Sequence, residues 1–354
     1  MDYFIQTFTF INYPSIFLVK EYNKDINKFT IRRPTMLTVS KTQPADFSSI
    51  QSAINSIQNK TEPETIYIKN GEYEERIEIT RPNLTFIGED SEETIISTSY
   101  GAYDLLPNGE RRGTFRSYTC LIDADNITMK NLTIRNCAGS GDIAGQAIAL
   151  YADGDMLTFE NCCLIGHQDT LFTGPLPPKE IQPGGFIGPK QFAPRRNGRQ
   201  YYKNCFIQGD IDFIFGSATA YFESCEIYSN NRNQEVNGYV TAPSTKEGQT
   251  FGYVFSNCQF TSDCNSNTVY LGRPWRNFAK AVFLHCEFGE HIKTEGFHDW
   301  DKLDSHETTF FATYQCKFAN KKTASYPSWV HTLTDTEAAI YTKENILSDT
   351  YYMP

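Results

Sequence analysis

Asp169 lies seven residues after Cys162, and Asp212 lies seven residues after Cys205. If those cysteines are equivalent points of a repeating fold, the two carboxylates stand one repeat apart, within about 4–6 Å in a stack of strands. Carboxylates that close resist being ionised together, so one keeps its proton where the other is charged. A protonated acid beside an ionised partner is suited to hydrolysis. A solvated Asp-Asn turn ladder has the same spacing, and spacing alone leaves both readings open.

The repeat that would position them is written in the cysteines. Aligned on Cys137, Cys162, Cys205, Cys225, Cys258, Cys286 and Cys316, the chain shows a bulky residue three places earlier (Ile134, Phe159, Tyr202, Phe222, Phe255, Phe283). Asn commonly stands just before the cysteine (Asn136, Asn161, Asn204, Asn257), and an apolar residue stands two places after it. The cysteines are 25, 43, 20, 33, 28 and 30 residues apart. Short units of this kind with variable insertions are the mark of a solenoid. Alternation in Asn83-Leu-Thr-Phe-Ile-Gly and Asn126-Ile-Thr-Met-Lys-Asn-Leu-Thr-Ile-Arg-Asn predicts half-buried strands with Asn and Gly at the turns. Seven of the ten cysteines are then expected to form an internal ladder of buried thiols, neither disulfides nor metal ligands.

The 43-residue interval holds Gly174-Pro-Leu-Pro-Pro, Pro183-Gly-Gly, Gly188-Pro and Pro194, which predicts a loop over about 172–200 beside a binding cleft. Phe47, Ile50, Ile54 and Ile57 have helical spacing, so a helix over 47–57 is expected to cap the first coil. The stretch after about 325 is assigned the same duty at the other end. Residues 1–35 form an extension of uncertain status, with Met36 near the start of a single domain of roughly ten coils (36–354).

Five segments add chemistry to this frame: Gly71-Glu-Tyr-Glu-Glu, Gly145-Gln-Ala-Ile-Ala-Leu, Gly166-His-Gln-Asp-Thr-Leu-Phe, Gly209-Asp-Ile-Asp-Phe-Ile-Phe-Gly and Tyr270-Leu-Gly-Arg-Pro-Trp. In content, order and approximate spacing they resemble the pectin methylesterase family (carbohydrate esterase family 8) over about residues 37–320. The segments around Asp212 and Arg273 are specific together, whereas the Gly71 segment alone is weak. The resemblance implies an all-β fold, a right-handed parallel β-helix with short capping helices and a cleft on one sheet. It also implies roles: Asp212 as nucleophile, Asp169 as general acid and base, Gln146 and Gln168 as oxyanion donors, Arg273 as the residue orienting Asp212, and Trp275 in the substrate cleft. Phe215 and His167 are taken as further cleft-lining, substrate-binding residues; His167 departs from the aromatic residue frequent in relatives and reads as cleft lining or as a satisfied turn residue, not as a catalytic base.

That chemistry is coherent on its own terms. A carboxylate can attack an ester carbonyl, neutral amides can stabilise the oxyanion, and a protonated carboxyl can supply the leaving methoxide with its proton. The bland readings are ladder amides for the glutamines and simple packing for Trp275. Arg195, Arg196 and Arg199 either meet galacturonate carboxylates or form an ordinary solvated cluster. Asp210 is expected to point the other way along its strand.

With 32 basic and 42 acidic residues, net −10, the chain has no general attraction for nucleic acid, and a polyanionic substrate needs a locally basic groove. No run reaches the roughly 20 apolar residues of a membrane span. The first 19 residues lack a basic start and a small-residue cleavage site. The expectation is a cytoplasmic enzyme trimming imported methyl-esterified oligogalacturonides, or one secreted by another route. It acts as a monomer on methyl-esterified pectin or oligogalacturonide, without metal or other cofactor and without nucleic-acid or membrane partners. A glycoside hydrolase or lyase on the same polymer is the first rival, because two close carboxylates also suit retaining glycoside hydrolysis; the paired glutamines argue against it. A non-catalytic glycan-binding solenoid is the second.

Overall fold

The computed structural model describes residues 36–58, 61–321 and 323–348; the extension 1–35 lies outside them. Among the described residues the strands form three parallel sheets of eleven, seven and nine strands. Each coil contributes to the sheets in turn, so the neighbour of a strand is its counterpart one coil away. The fold is a right-handed parallel β-helix.

The register explains the repeat. The residue before each ladder position ends a strand of the first sheet in left-handed conformation: Asn161 (φ 53°), Asn204 (52°), Ser224 (53°), Asn257 (54°), His285 (53°) and Gln315 (49°). Asn tolerates this conformation better than most residues, which is why it recurs there. The next residue turns inward, and the thiols of Cys162, Cys205, Cys225, Cys258, Cys286 and Cys316 donate to carbonyls of the preceding coil, as Cys205 does to Phe159 at 3.5 Å. All ten cysteines are free thiols. Three places earlier, Phe159, Tyr202, Phe222, Phe255 and Phe283 stack in the core at 4.7, 4.6, 4.5 and 4.9 Å, with interplanar angles of 6–12°. Each such pair contributes about 0.5–1.5 kcal/mol beyond the area it buries.

One member of the predicted ladder is misplaced. Cys137 is exposed. The left-handed turn of its coil falls at Asn131 (φ 53°), and Leu132 fills the inward position. Asn136 instead sits buried beyond that strand, its amide donating to the carbonyls of Tyr100, Ser117 and Ile148 at 3.0, 2.8 and 3.0 Å. An Asn-Cys pair five residues out of register thus mimicked the repeat while satisfying carbonyls behind the cleft.

The ends differ from expectation too. The first helix spans Ile50–Ser56, with Ser49 as N-cap, and buries Ile50, Ala53 and Ile54 over the open coil. Phe47 precedes it and bridges to Val39. Glu75, from the Gly71 segment, accepts from Ser49 Oγ, Ile50 N and Gln51 N at 2.7, 2.8 and 3.2 Å, satisfying donors that a helix start leaves free. At the other end Trp329 and Val330 cover the last coil, but the chain then turns back. Leu333, Tyr341 and Ile346 pack on the outer face of the first sheet against Tyr221, Val254 and Val282. Only the first residues after 325 act as a cap, because that outer face is apolar and needs cover of its own.

Candidate active site

The second sheet carries the site. Five consecutive neighbours are the strands Leu150–Ala152, Leu171–Thr173, Ile211–Gly216, Gly238–Pro243 and Val269–Gly272. Gln146 precedes the first, Gln168 and Asp169 the second; Asp212 lies in the third, and Arg273 and Trp275 follow the fifth. Leu171 pairs with Ile214 and Phe172 with Phe215, and Asp169 N–H donates to Ile211 O at 3.1 Å. Asp169 and Asp212 therefore occupy neighbouring rungs.

Both aspartates are left-handed, at φ 66° and 50°. Such conformations are sparsely populated outside glycine and concentrate at functional sites. At Asp212 the cause is a bulge between Ile211 and Ile214 against the next strand. Phe213 and Ile214 both enter the core, whereas Asp212 and Phe215 both belong to the outer, cleft side. Strict alternation would place residues three apart on opposite faces, and the extra inward residue puts them on the same one.

Arg273 reaches from two rungs away. Its Nε and one terminal nitrogen donate to the two oxygens of Asp212 at 2.8 and 2.7 Å, a bidentate fork between side chains 15% and 11% exposed. Burial pushes the Asp212 carboxyl above its ordinary range, and the Arg273 bonds and charge oppose that rise. Asp169 is pushed well above the ordinary range by burial first, and then by the charge of Asp212; Arg273 opposes it more remotely. The environments divide the pair into one carboxylate held by a cation and one acid that keeps its proton.

Gln146 and Gln168 are half-buried, and neither carboxamide has a hydrogen-bond partner among the described residues. Gln168 lies against Gly141, where a Cβ would stand 2.2 Å from its Oε1. Both amides are thus free to serve an incoming oxygen.

Beside the carboxylates the outward positions Leu121, Tyr151, Phe172, Phe215 and Ala242 are paired across the sheet in one row. Phe115 and Phe186 cover this row, and Trp275 stands half-buried at its edge, 5.7 Å from Phe215 and 6.3 Å from Phe186. Phe215 is 3% exposed, so it supports Trp275 from beneath and offers substrate little surface. His167 is 38% exposed, and its Nδ1 is 2.9 Å from the fully buried Asp210 carboxylate. Asp210 thereby serves His167 and its own backbone turn, where Ile211 N–H donates to it at 2.8 Å.

The predicted loop is shorter than 172–200, because its ends belong to the strands Leu171–Thr173 and Arg199–Lys203; residues 174–198 border this row. Phe186 seats the loop on the aromatic cluster, and Lys190 ties it to Asp123 and Asp153. Burial pushes Asp153 up to about 6 despite Lys190. The three arginines are taken up by partners within the protein and do not form the ordinary solvated cluster. Arg195 donates to four carbonyls of its own loop, Arg196 pairs with Asp125 and Arg199 with Asp155. The cations beside Trp275 are Arg276, 4.7 Å from its ring, and Lys302, whose ammonium donates to the Pro274 and Trp275 carbonyls at 2.8 and 3.2 Å.

Sequence reasoning missed Phe172, Phe186 and Lys302, and also Tyr239 and Trp300, whose ring centroids lie 3.7 and 3.8 Å from the Arg273 guanidinium. Phe172 was within reach, because it follows Asp169 by the same three residues that separate Phe215 from Asp212. Trp300 and Lys302 lie in an irregular segment where no repeat signal exists. Among the described residues His298, Asp299 and Asp301 bring ligand-type atoms within 4.8 Å of one another. Two of the three are already engaged: His298 Nδ1 accepts from Trp300 N–H at 2.9 Å, and Asp299 meets His306 at 3.0 Å.

Known proteins share this arrangement of coils. The Pectinesterase family model matches residues 36–175 and 195–350, leaving out most of the cleft loop. Pectinesterase 31 of Arabidopsis thaliana is 29% identical over 311 residues, 86% of this chain and 89% of its own. Among solved structures, pectin methylesterase PemA from Erwinia chrysanthemi is 30% identical, with a TM-score of 0.72 over 90% of this chain and 98% of that one. The carrot pectin methylesterase is 25% identical, with a TM-score of 0.73 over 88% and 92%. A pectin methylesterase in complex with a hexasaccharide also matches, at 30% identity and a TM-score of 0.72. With the coil register, the carboxylate pair and the family match all extending over the same stretch, the chain belongs to the pectinesterase family.

Proposed function

We propose that this pectinesterase works through Asp212 as nucleophile, with Asp169 first as acid and then as base. The chain is a carboxylic ester hydrolase that removes methyl esters from the galacturonate units of pectin. The observation that carries the mechanism is the division of the aspartates: Arg273 forks both oxygens of Asp212, while Asp169 is buried and, among the described residues, has no ion-pair partner of its own.

The ionised Asp212 attacks the ester carbonyl carbon, and Gln146 and Gln168 donate to the oxygen that becomes anionic. Collapse of the tetrahedral intermediate breaks the carbonyl carbon–methoxy oxygen bond, and Asp169 gives its proton to that oxygen, releasing methanol. The acyl group is then an anhydride with Asp212. Asp169, now a carboxylate, takes a proton from water, whose oxygen attacks the same carbon. Expulsion of Asp212 leaves a free galacturonate acid. Trp275, backed by Phe215 and Phe186, gives the sugar ring a flat apolar wall. Arg276 and Lys302 beside it supply the local positive charge that a chain of net −10 needs to receive a polyanion.

The test has two parts. Methanol release from methyl-esterified oligogalacturonate is measured against new reducing ends: methanol without reducing ends is expected, and chain cleavage in step with methanol would indicate a depolymerase. Hydroxylamine is then added during turnover. An acyl-enzyme partitions between water and hydroxylamine and yields galacturonate hydroxamate; strictly free acid at high hydroxylamine would contradict the covalent route.

A further inference from the structure

Arg273 is held on both faces as well as at its tip. Its guanidinium carbon lies 3.7 Å from the ring centroid of Tyr239 and 3.8 Å from that of Trp300, so the planar group is slotted between two rings. The Tyr239 wall is part of the sheet: it pairs with Tyr270 in the ladder and stacks on it at 5.5 Å and 8°. The Trp300 wall is built differently. It hangs on the irregular segment between the strands Glu287–Phe288 and Phe310–Tyr314.

Trp300 and Asp301 are both left-handed, at φ 60° and 56°. A bulky residue keeps that conformation only where its surroundings impose it. Here Trp300 N–H donates to His298 Nδ1 at 2.9 Å, and Asp299 accepts from Asp301 N–H at 2.9 Å while meeting His306 at 3.0 Å. Lys302 completes the fastening through the Pro274 and Trp275 carbonyls, the residues directly after Arg273, and its ammonium lies 4.4 Å from the Trp300 ring. The segment is thus latched to the strand end that carries the arginine.

A guanidinium between two rings can slide in its plane but cannot tilt. Tilting is the motion that would cost the fork one of its two bonds, since both oxygens of Asp212 must lie in the guanidinium plane. We propose that Trp300 is a positioning residue for ester cleavage: acting through Arg273, it fixes the plane of the fork and so the aim of the Asp212 carboxylate at the ester carbon. The inference rests on the reading of Asp212 as nucleophile.

The experiment is a mutant cycle on methanol release from methyl-esterified oligogalacturonate, using Trp300→Leu, Trp300→Phe, Arg273→Ala and the Arg273→Ala/Trp300→Leu double variant. Trp300→Leu is expected to lower kcat about ten- to 100-fold with KM within about twofold, the effect of weakening one charge-assisted bond in the transition state. Trp300→Phe, which keeps a flat wall, should recover most of that loss. In the Arg273→Ala background the Trp300 change should cost nothing further, because the residue it acts through is gone. Equal losses in both backgrounds, or a loss confined to KM, would overturn the proposal. Should Trp300→Leu fail to fold, Lys302→Met keeps the ring and releases the latch: the same kcat loss, silent in kcat in the Arg273→Ala background, is expected of it, with a KM rise common to both backgrounds because Lys302 also lends charge to the cleft. Asp212→Asn in parallel separates the two ideas. If it stays active, the nucleophile reading falls; if it is inactive and the cycle is additive, only the role of Trp300 falls.

Discussion

Replacing Arg273 with lysine keeps the charge beside Asp212 and removes the fork. In the wild type two nitrogens donate to two separate oxygens at 2.8 and 2.7 Å, between largely buried side chains. An ammonium leaves one charge-assisted bond where there were two, a loss of about 1.5–3 kcal/mol. If that loss is felt in the transition state, kcat falls roughly ten- to 150-fold at 1.36 kcal/mol per decade. KM should change little, because Arg273 is committed to Asp212. The acid limb of the rate profile should move as well. Burial already raises Asp212, and the Arg273 bonds are what oppose it, so a weaker partner lets the carboxyl hold its proton to higher pH, and activity is lost at a higher pH on acidification. The stability effect follows the same direction. A carboxyl raised in the folded state contributes stability at low pH that is lost as pH rises through the folded value, so the deficit of Arg273→Lys should widen toward alkaline pH. Initial rates of methanol release from pH 5 to 9 and melting curves at both ends of that range supply the data. A variant with wild-type kcat and an unmoved acid limb would refute the claim that the fork, and not charge alone, prepares Asp212.

Asp169→Asn should abolish turnover yet raise thermal stability. The folded protein holds the Asp169 proton to a higher pH than the unfolded chain does, so wild-type stability from this group declines as pH rises through its folded value; the variant lacks that decline, and its advantage in Tm by calorimetry should be larger at pH 8 than at pH 5. Trp275→Ala should weaken substrate capture by about 1–2 kcal/mol, a rise in KM of roughly five- to 30-fold in steady-state kinetics, with a smaller change in kcat. Phe222→Ala, in the middle of the core stack, should cost about 3–5 kcal/mol and lower Tm by several degrees while KM stays near wild type.

The parts of this molecule that repeat were legible in its sequence. Phe159, Tyr202, Phe222, Phe255 and Phe283 announce the core stack, because one coil imposes the same environment on each. The same register places Asp169 and Asp212 on neighbouring rungs. Legibility failed where a side chain answers to tertiary partners. Cys137 follows an asparagine as the ladder cysteines do, but Asn136 is needed by three carbonyls and not by a turn. Arg195, Arg196 and Arg199 look like a basic patch, yet loop carbonyls, Asp125 and Asp155 take them up. The bulge at Asp212 depends on how the next strand pairs, and nothing in Gly209-Asp-Ile-Asp-Phe-Ile-Phe-Gly read alone reveals it. Trp300 escaped for a related reason: its value lies in where a left-handed, non-repeating segment delivers its ring.

The division of labour between the two aspartates is tested most directly by methanol release from methyl-esterified oligogalacturonate with Asp212→Asn beside the wild type. The substitution preserves shape and removes the nucleophilic charge. A fall of about a thousandfold or more in kcat, with a folded protein and substrate binding retained, is the predicted result. Methanol release by Asp212→Asn at the wild-type rate would contradict the assignment of Asp212 as the group that attacks the ester.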